Sequence, residues 1–301
     1  MNNIIRIATR NSPLALRQAN IIKDILKDKI KAQLVPMTSS GDRVSTKEFK
    51  QFGGKGLFLK ELEESLLSGK TDIAVHSLKD VPALLGKEFE IITISTREIP
   101  SDAFISNNYK SIHELPKNAM IATSSPRRIA VLKNISKEFK IIEIRGNIHT
   151  RLKKLDEEKY DGIILAAAGL HRMSMESKIV EYIPIKESVP AAGQGILCIE
   201  YLSRNRKIKN VLQKYKIKNV EQCAIEERRF VEELGGDCMS PIGAHAIIKD
   251  AKICLTGFVA SRDGNNYIKT TYETSTKEKI SAGQRLAKIF IKQGAKKLLK
   301  G

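Results

Sequence analysis

The same short pattern of residues occurs twice in this chain of 301 residues. Residues 7–16 read IATRNSPLAL, and residues 121–130 read IATSSPRRIA. In each copy an apolar, strand-like run leads through a polar turn into a Ser-Pro pair and a helical pattern. The serine suits the N-cap position, and the proline suits the first helical position, where its missing N–H costs nothing. The repeat therefore predicts two α/β units that begin in the same way.

Strand-like and helical patterns alternate around both copies of the repeat. Apolar residues at helical spacing predict helices at 12–30, at 57–67, from Pro126 and from Asn147. Extended segments are predicted at 4–9, 32–37, 72–77, 90–95, 119–124, 139–145 and 161–167. Such alternation is typical of parallel sheets with crossover helices.

The pattern changes after residue 190. Residues 190–201, PAAGQGILCIEY, predict a turn and a strand that returns to the first unit. A helix at 219–234, three strands at 243–250, 252–260 and 267–275, and a long C-terminal helix follow. We expect two similar doubly wound α/β domains that resemble type II periplasmic binding proteins, and a small C-terminal α+β domain with a three-stranded antiparallel sheet. The expected domains are 1–97 plus 192–214, 98–191 and 215–301.

The net charge of +18 raises the question of a nucleic-acid partner. The lysines are scattered over helical segments, and aromatic residues make up only 5% of the chain, so base stacking has little support. We expect no nucleic-acid partner. No run of 18 apolar residues occurs, and the N-terminal residues include no uninterrupted apolar stretch, which predicts a cytoplasmic protein with no membrane partner.

The four cysteines form no C-x-x-C pair, and the five histidines have no ligand spacing, so no metal site is expected. Cys198, Cys223 and Cys254 lie in apolar strand or helix patterns, where cysteine packs as a small hydrophobe. Cys238, in LGGDCMSPIGAH at 234–245, has the surroundings of a loop. The residues alone leave Cys238 open as a spacer or as an attachment point.

The glycine-rich segments do not match nucleotide-binding motifs. FGGKG at 52–56, around Lys55, lacks the earlier glycine and the Ser or Thr of a Walker A loop. GQG at 193–195 lacks the third glycine of a dinucleotide-binding fingerprint. Kinase, ATPase and NAD-dependent activities therefore lose their usual support.

Several arginines lie at or just after the ends of predicted strands. In the second unit they are Arg127, Arg128, Arg145, Arg151 and Arg172, and Arg10 has the matching place in the first unit. Arginine binds a carboxylate through two hydrogen bonds at once, so converging arginines suit a ligand with several carboxylates. We expect the two units to line a cationic cleft for such a ligand.

The segment DIAVHSLKDVP at 72–82 places Lys79 and Asp80 just past the end of a strand. Polar residues at such a place are candidates for a site, although an exposed Lys-Asp pair on a loop has the same pattern. A Ser-His-Asp hydrolase would use the same residue types, but the segment has no G-x-S-x-G motif.

Eight ordered segments resemble motifs of the porphobilinogen deaminases, also called hydroxymethylbilane synthases. They are RIATRNSPLAL, GGKGLFLKELE, DIAVHSLKDVP, TSSPRR, RGNIHTRL, DGIILAAAGLHR, PAAGQG and GGDCMSPIGAH. The resemblance implies a transferase of porphyrin and heme biosynthesis. In this family, four porphobilinogen molecules are joined head to tail, with loss of ammonia, onto a dipyrromethane cofactor that a thioether links to a cysteine. Water then releases the linear tetrapyrrole hydroxymethylbilane.

The resemblance also implies roles for individual residues. Asp80 matches the catalytic carboxylate, and Cys238 matches the cysteine that bears the cofactor. The other expected cofactor-binding residues are Lys55, Lys79, Ser125, Arg127 and Arg128. The expected substrate-binding residues are Arg10, Ser12, Arg145, Arg151, Arg172 and Gln194. A monomer is implied, and its product would pass to uroporphyrinogen-III synthase.

Asp237 departs from the glycine that is common before the cofactor cysteine in this family. A carboxylate beside a thiol tends to raise the pKa of the thiol, so we expect slower cofactor loading at Cys238. Two alternatives stay open. A non-catalytic, two-lobed anion-binding protein explains the repeat and the arginines but has no use for Cys238, and a nucleic-acid binder would need steeply salt-dependent affinity.

Overall fold

The computed structural model describes residues 4–38, 59–157, 160–237 and 239–300. The strands among these residues, in chain order, are β1 Ile5–Arg10, β2 Ala32–Met37, β3 Ile73–Ser77, β4 Phe89–Ile92, β5 Asp102–Ile105, β6 Met120–Ala122, β7 Lys140–Ile142, β8 Gly162–Ala166, β9 Glu181–Ile183, β10 Leu197–Leu202, β11 Ile242–Lys249, β12 Lys252–Ala260 and β13 Tyr267–Ser275. The helices are α1 Pro13–Leu26, α2 Lys60–Leu67, α3 Pro126–Ile135, α4 Ile148–Glu157, α5 Ala167–Arg172, α6 Arg206–Leu212, α7 Lys218–Glu233, α8 Ala282–Lys292 and α9 Ala295–Lys300. Within the described ranges, no helix combines the length and the apolar character that crossing a membrane requires.

The chain divides into two compact units. Unit 1 contains Met1–Glu98 and Ile196–Gln222, and unit 2 contains Ile99–Gly195 and Cys223–Gly301. The sheet of unit 1 has the order β2-β1-β3-β10-β4, so the predicted return of the strand after residue 190 is confirmed. In α1, buried residues recur at helical spacing and pack on this sheet; they are Gln18, Ala19, Ile22 and Leu26.

Unit 2 contains a second five-stranded sheet, with the order β7-β6-β8-β5-β9. In each five-stranded sheet the first three strands are parallel, and the fourth strand is antiparallel to both of its neighbours. The two sheets therefore match position by position, which confirms the predicted repeat. The expected parallel strands occupy the first three positions of each sheet, and the antiparallel fourth strand departs from that expectation. In unit 1 the reason is that β10 arrives without a crossover helix and enters the sheet where β3 ends, with Leu197 opposite Ser77.

The rest of unit 2 is the predicted three-stranded antiparallel sheet, with the order β11-β12-β13. Helices α7 and α8 pack against it, with the rings of Phe230 and Phe290 edge to face at 4.9 Å. The fold class is thus confirmed as two matching α/β sheets and a smaller α+β part. The long C-terminal helix is in fact two helices, because Gly294 adopts a φ of +92° between α8 and α9.

The turn between β12 and β13 packs against α3. Gly264, at a φ of +76°, lies so close that an added Cβ would be 2.9 Å from the Cα of Ala130. Phe258 and Ala260 of β12 join Ala130 and Val131 of α3 in one buried cluster. The small sheet therefore supports the helix that carries the Arg127–Arg128 pair.

This contact gives a prediction for Gly264→Ala. The variant should lose about 1–3 kcal/mol more free energy of unfolding than Gly294→Ala. Both substitutions put a side chain at a positive φ, but only the alanine at position 264 would clash with neighbouring atoms. Gly294 is a matched control, since an added Cβ there meets nothing within 4 Å. Chemical denaturation of both variants measures the difference, and equal losses would contradict the contact.

Candidate active site

In unit 1, the predicted catalytic residue lies on a turn that buried residues anchor. β3 runs directly into the 3₁₀ turn Leu78–Asp80. Leu78 and Val81 are buried; the N–H of Leu78 donates to the Ile196 carbonyl at 2.9 Å, and the N–H of Val81 donates to the Leu78 carbonyl at 3.1 Å. Lys79 is half-buried, and Asp80 is exposed. The turn thus fixes the backbone while the Asp80 carboxylate faces outward.

Arg10 and Ser12 occupy the end of β1 and the start of α1, as the repeat predicts. Arg10 is the last residue of β1, and Ser12 caps α1, with its hydroxyl accepting the N–H of Ala15 at 3.3 Å. Further along α1, the buried Gln18 donates from its amide to the Ser77 hydroxyl at 2.9 Å. This bond joins α1 to the last residue of β3.

In unit 2, two of the predicted arginines converge on a carboxylate of the protein itself. Asp102, the first residue of β5, is 0% exposed. Arg127 donates to both of its oxygens, at 2.8 and 3.0 Å, and Arg128 donates to Oδ1 at 2.7 and 2.9 Å. Burial by itself would raise the pKa of Asp102, but the charges of Arg127 and Arg128 hold it well below its usual range.

The cluster around Asp102 is cationic, and among the described residues one of its donors has no acceptor. Two guanidinium groups face one carboxylate, so the three side chains have a net charge of one positive unit. The Nε of Arg127 is buried and has no hydrogen-bond partner among the described residues. Ser125 stands at the N-cap of α3, but its hydroxyl does not cap the helix as Ser12 caps α1, so that part of the predicted parallel was wrong. The N-terminus of α3 therefore lacks the side-chain acceptor that its counterpart has.

Gln194 and Arg172 belong to the same buried network. Gln194 is 1% exposed, and its amide nitrogen donates to the Pro100 carbonyl at 2.6 Å and to Asp102 at 3.1 Å. Arg172, at the end of α5, donates to the Gly195 carbonyl at 2.7 Å. The structure thus brings Arg127, Arg128, Arg172 and Gln194 together in unit 2.

Arg145 and Arg151 lie around a different turn of unit 2. Arg151 donates from Nε to the Gly146 carbonyl at 2.8 Å, and Arg145 lies 3.9 Å from Glu143. Gly146 has a φ of +112°, which a residue with a side chain rarely adopts. Both arginines are half-buried.

A second buried carboxylate, which the sequence analysis did not single out, holds the turn that contains Gln194. Glu227 of α7 is 0% exposed, and its two oxygens accept the N–H of Gly193 and the N–H of Ala246 of β11, each at 2.7 Å. Its position offers a sequence signal, because it shares the apolar face of the helix with Cys223 and Phe230. Glu227 connects the 193–195 turn to the strand that follows the Cys238 loop.

Cys238 and Lys55 lie outside the described residues. Hydrogen bonds join the residues on either side of Cys238: the carboxylate of Asp237 accepts the N–H of Met239 at 3.0 Å and the hydroxyl of Ser240 at 2.9 Å. The structure buries Cys198 and Cys223 and half-buries Cys254, as predicted for small hydrophobes. Burial and the charge of Glu273 raise the pKa of the Cys254 thiol.

The Asp102 cluster predicts a large effect for Asp102→Asn. This variant should lose about 3–5 kcal/mol of unfolding free energy at neutral pH, because two buried guanidinium groups lose their counter-charge. The lowered pKa of Asp102 stabilises wild type at pH values above the ordinary carboxyl pKa, and this stabilisation is lost as the pH falls. The difference in unfolding free energy between wild type and Asp102→Asn should therefore narrow below about pH 4.

Denaturant unfolding at several pH values measures this gap. Asp156→Asn is the control, since Asp156 is an exposed carboxylate that accepts a hydrogen bond from Asn107. It should change stability by no more than about 0.5 kcal/mol. Equal losses for the two variants would show that Asp102 does not organise unit 2.

Comparisons with known proteins cover nearly the whole chain. The family model "Porphobilinogen deaminase, dipyromethane cofactor binding domain" matches residues 5–210, and "Porphobilinogen deaminase, C-terminal domain" matches residues 221–292. The porphobilinogen deaminase of Francisella philomiragia subsp. philomiragia is 44% identical over 297 residues, which is 98% of each chain. That of Thiobacillus denitrificans is 42% identical over 298 residues, covering 98% of this chain and 97% of the relative.

Similar solved structures include two binding proteins. A putative methionine-binding lipoprotein from Bacillus subtilis has 13% identity and a TM-score of 0.44, covering 72% of this chain and 91% of its own. A nutrient-binding protein from Burkholderia cenocepacia bound to methionine has 12% identity and a TM-score of 0.44, covering 73% and 94%. The matched domains and the full-length relatives decide the assignment: the chain belongs to the porphobilinogen deaminase family.

Proposed function

We propose that this chain is a transferase that joins four porphobilinogen molecules head to tail, releases an ammonia at each addition and yields hydroxymethylbilane. The observation that carries the proposal is its 44% identity to a porphobilinogen deaminase over 98% of both chains. The match of the family's C-terminal domain to residues 221–292 adds to it, because this segment surrounds Cys238. A non-catalytic anion-binding protein is not favoured, since it would need neither Cys238 nor Asp80.

We assign the catalytic role to Asp80. Loss of ammonia from porphobilinogen leaves positive charge spread over the pyrrole ring and its N–H. A carboxylate fixed nearby stabilises that charge and can accept or return a proton. The exposed Asp80 on its anchored turn suits this task, because the backbone is held while the carboxylate stays accessible.

The described residues fit a dipyrromethane, whose side chains carry carboxylates. The fit rests on the positive charge of the Asp102 cluster, on the Nε of Arg127, which has no acceptor within the described ranges, and on the α3 N-terminus, where the Ser125 hydroxyl makes no capping hydrogen bond. When bound, a dipyrromethane linked to the Cys238 sulfur supplies the pyrrole terminus that accepts new units. We propose that Ser125, Arg127, Arg128 and Lys79 hold its carboxylates, together with Lys55.

The carboxylates of porphobilinogen need cations of their own. We propose Arg10, Arg145 and Arg151 as direct partners, because each is half-buried near a strand end or a turn. Ser12 would bind through the start of α1, which it caps. We propose that Arg172 and Gln194 also contribute to substrate binding. Because they donate hydrogen bonds to Gly195 and Asp102, their contribution is to hold the buried network around Asp102 in place.

We also propose three domains, 1–97 plus 192–214, 98–191 and 215–301, because each segment contributes the strands of one sheet. The chain would act as a cytoplasmic monomer. Its product, a linear tetrapyrrole, would pass to a ring-closing enzyme, uroporphyrinogen-III synthase.

The activity is tested by incubating the purified chain with porphobilinogen and measuring both products. We expect four ammonia molecules for each hydroxymethylbilane. Binding of porphobilinogen without release of ammonia would instead support an anion-binding protein.

Asp80→Asn tests the catalytic assignment. Because an amide has no negative charge for the substrate cation, kcat should fall by about 100- to 10,000-fold while the cofactor stays attached. Asp24→Asn, which removes an exposed carboxylate from α1 in the same unit, should leave kcat unchanged. Initial rates of porphobilinogen consumption give the comparison, and a fully active Asp80→Asn would remove Asp80 from the mechanism.

Asp237→Asn tests the effect of the acidic residue before Cys238. The amide keeps an acceptor oxygen for Met239 and Ser240 but removes the charge that disfavours a thiolate. We expect apo-protein with Asp237→Asn to gain the covalent cofactor faster than wild type, as followed by intact mass over time. Asp237→Gly removes the charge and both hydrogen bonds together, so comparing it with Asp237→Asn separates the effect of the charge from that of the hydrogen bonds. Equal rates for wild type and Asp237→Asn would contradict the charge effect.

A further inference from the structure

A buried carboxylate and a histidine bridge two central strands of the unit 1 sheet. Glu200 of β10 is 0% exposed, and its Oε2 lies 2.9 Å from Nε2 of His76, which is also buried. In the antiparallel register, His76 is opposite Cys198, and Glu200 is opposite Ala74. His76 and Glu200 are therefore diagonal neighbours on one face of the sheet. This is the face on which Ala74 packs with Leu62 and Leu66 of α2.

The second oxygen of Glu200 needs a donor. Oε1 is buried, and no N–H or hydroxyl group among the described residues donates to it. Glu63, in the first turn of α2, comes within hydrogen-bonding reach of Glu200. Two carboxyl groups can share a hydrogen bond only if one of them keeps its proton. A protonated Glu63 would satisfy Oε1, while His76 satisfies Oε2.

We propose that Glu63, Glu200 and His76 form a buried proton-sharing triad, with Glu63 donating to Glu200, that positions the Asp80 turn. The positioning role rests on the catalytic assignment of Asp80 proposed above. The triad residues themselves are positioning residues, since they act through the β3–β10 pair.

The connection to Asp80 is short and runs through the backbone. His76 is the penultimate residue of β3, and the turn Leu78–Asp80 begins two residues later. The first N–H of that turn donates to Ile196, the residue before β10. The side-chain bridge to Glu200 and this backbone bond both hold the end of β3 against β10. Loss of the bridge therefore removes one of the contacts that fix the position of the Asp80 turn.

The surroundings of Glu63 favour its protonated form. Burial, the charge of Glu200 and the hydrogen bond to Glu200 raise the pKa of Glu63 to about 7. Among the other charged groups that face it, His76 lowers the pKa and Glu88 raises it. Stability from a raised carboxyl pKa is complete at low pH and is lost as pH rises through the folded value. The triad should therefore weaken between about pH 5 and pH 8.

Infrared spectroscopy of the full-length, cofactor-loaded chain tests the proton. Wild type should show the carbonyl band of a protonated carboxylic acid that disappears with a midpoint near pH 7. Glu63→Gln should lack the band and flatten the pH dependence of the Tm, because an amide donates to Glu200 without titrating. Glu64→Gln is the matched control, since Glu64 is exposed on the same helix, 4.0 Å from Lys60. An unchanged band in Glu63→Gln would overturn the triad.

Two substitutions of Glu200 test the positioning role. Glu200→Gln keeps an acceptor for His76, whereas Glu200→Leu removes it. We expect Glu200→Leu to lower kcat by about tenfold or more with little change in KM, per molecule of folded, cofactor-loaded protein, and Glu200→Gln to retain most of kcat. Equal kcat values for the two variants, or a loss confined to KM, would overturn the positioning role.

The outcomes also separate this inference from the proposed function. A band that titrates near pH 7 in a chain that releases no ammonia would support the triad's proton but overturn both the proposed function and the positioning of a catalytic Asp80. Normal turnover in a chain whose Glu63→Gln variant keeps the band would overturn the triad and leave the proposed function standing.

Discussion

The buried carboxylate of Asp102 holds several elements of unit 2 together through hydrogen bonds. It accepts hydrogen bonds from two guanidinium groups, from the Ser188 hydroxyl and from the Gln194 amide, with no exposure to solvent. Burying three charged groups is costly, and the hydrogen bonds from both guanidinium groups to the carboxylate offset that cost. The start of β5, the first turn of α3 and the 193–195 turn are thus held in one arrangement. The same arrangement leaves a net positive charge and, in the part of the chain that the structure describes, an Arg127 Nε without an acceptor, which suits a ligand with carboxylates.

The Asp102 cluster of unit 2 and the Glu200–His76 pair of unit 1 balance buried charge in opposite ways. In unit 2 arginines outnumber the carboxylate they surround, which suits the acidic side chains of a pyrrole. In unit 1 the sheet buries the carboxylates of Glu200 and, in part, of Glu63 beside a single histidine. There the second negative charge is avoided because Glu63 keeps its proton, and no arginine or lysine is needed to balance it. The exposed Asp80 lies beyond the end of β3. The carboxylate that would face the substrate cation is therefore separate from the buried carboxylates that stabilise the fold.

Local patterns were sufficient for much of the fold. The Ser-Pro repeat, the return of the chain into the first sheet and the three-stranded antiparallel sheet all follow from residues close together in the sequence. The antiparallel strands β5 and β10, by contrast, depend on where the chain enters a sheet, which no local pattern states. The break at Gly294 was missed because a single glycine is tolerated within a helical pattern.

The site divides in the same way. Lys79 and Asp80 could be placed past a strand end from the sequence, and the arginines could be recognised as carboxylate partners. An arginine does not reveal whether its carboxylate belongs to a ligand or to the protein, however, and Asp102 lies 25 residues from Arg127. Glu227 and Gly193, 34 residues apart, were missed for the same reason. Which residues form long-range pairs of this kind depends on the folded structure, and no local sequence pattern specifies it.

Cys238 separates a pyrrole-polymerising enzyme from a protein that merely binds anions, because only the enzyme needs a thiol that retains the growing chain. Intact-mass measurement of the purified chain, followed by mapping of its peptides, tests this most directly. The account predicts an added mass equal to the two pyrrole units of a dipyrromethane on the peptide that contains Cys238, absent in Cys238→Ala and present in Cys254→Ala. An unmodified wild-type chain after exposure to porphobilinogen, or an adduct on another cysteine, would contradict it.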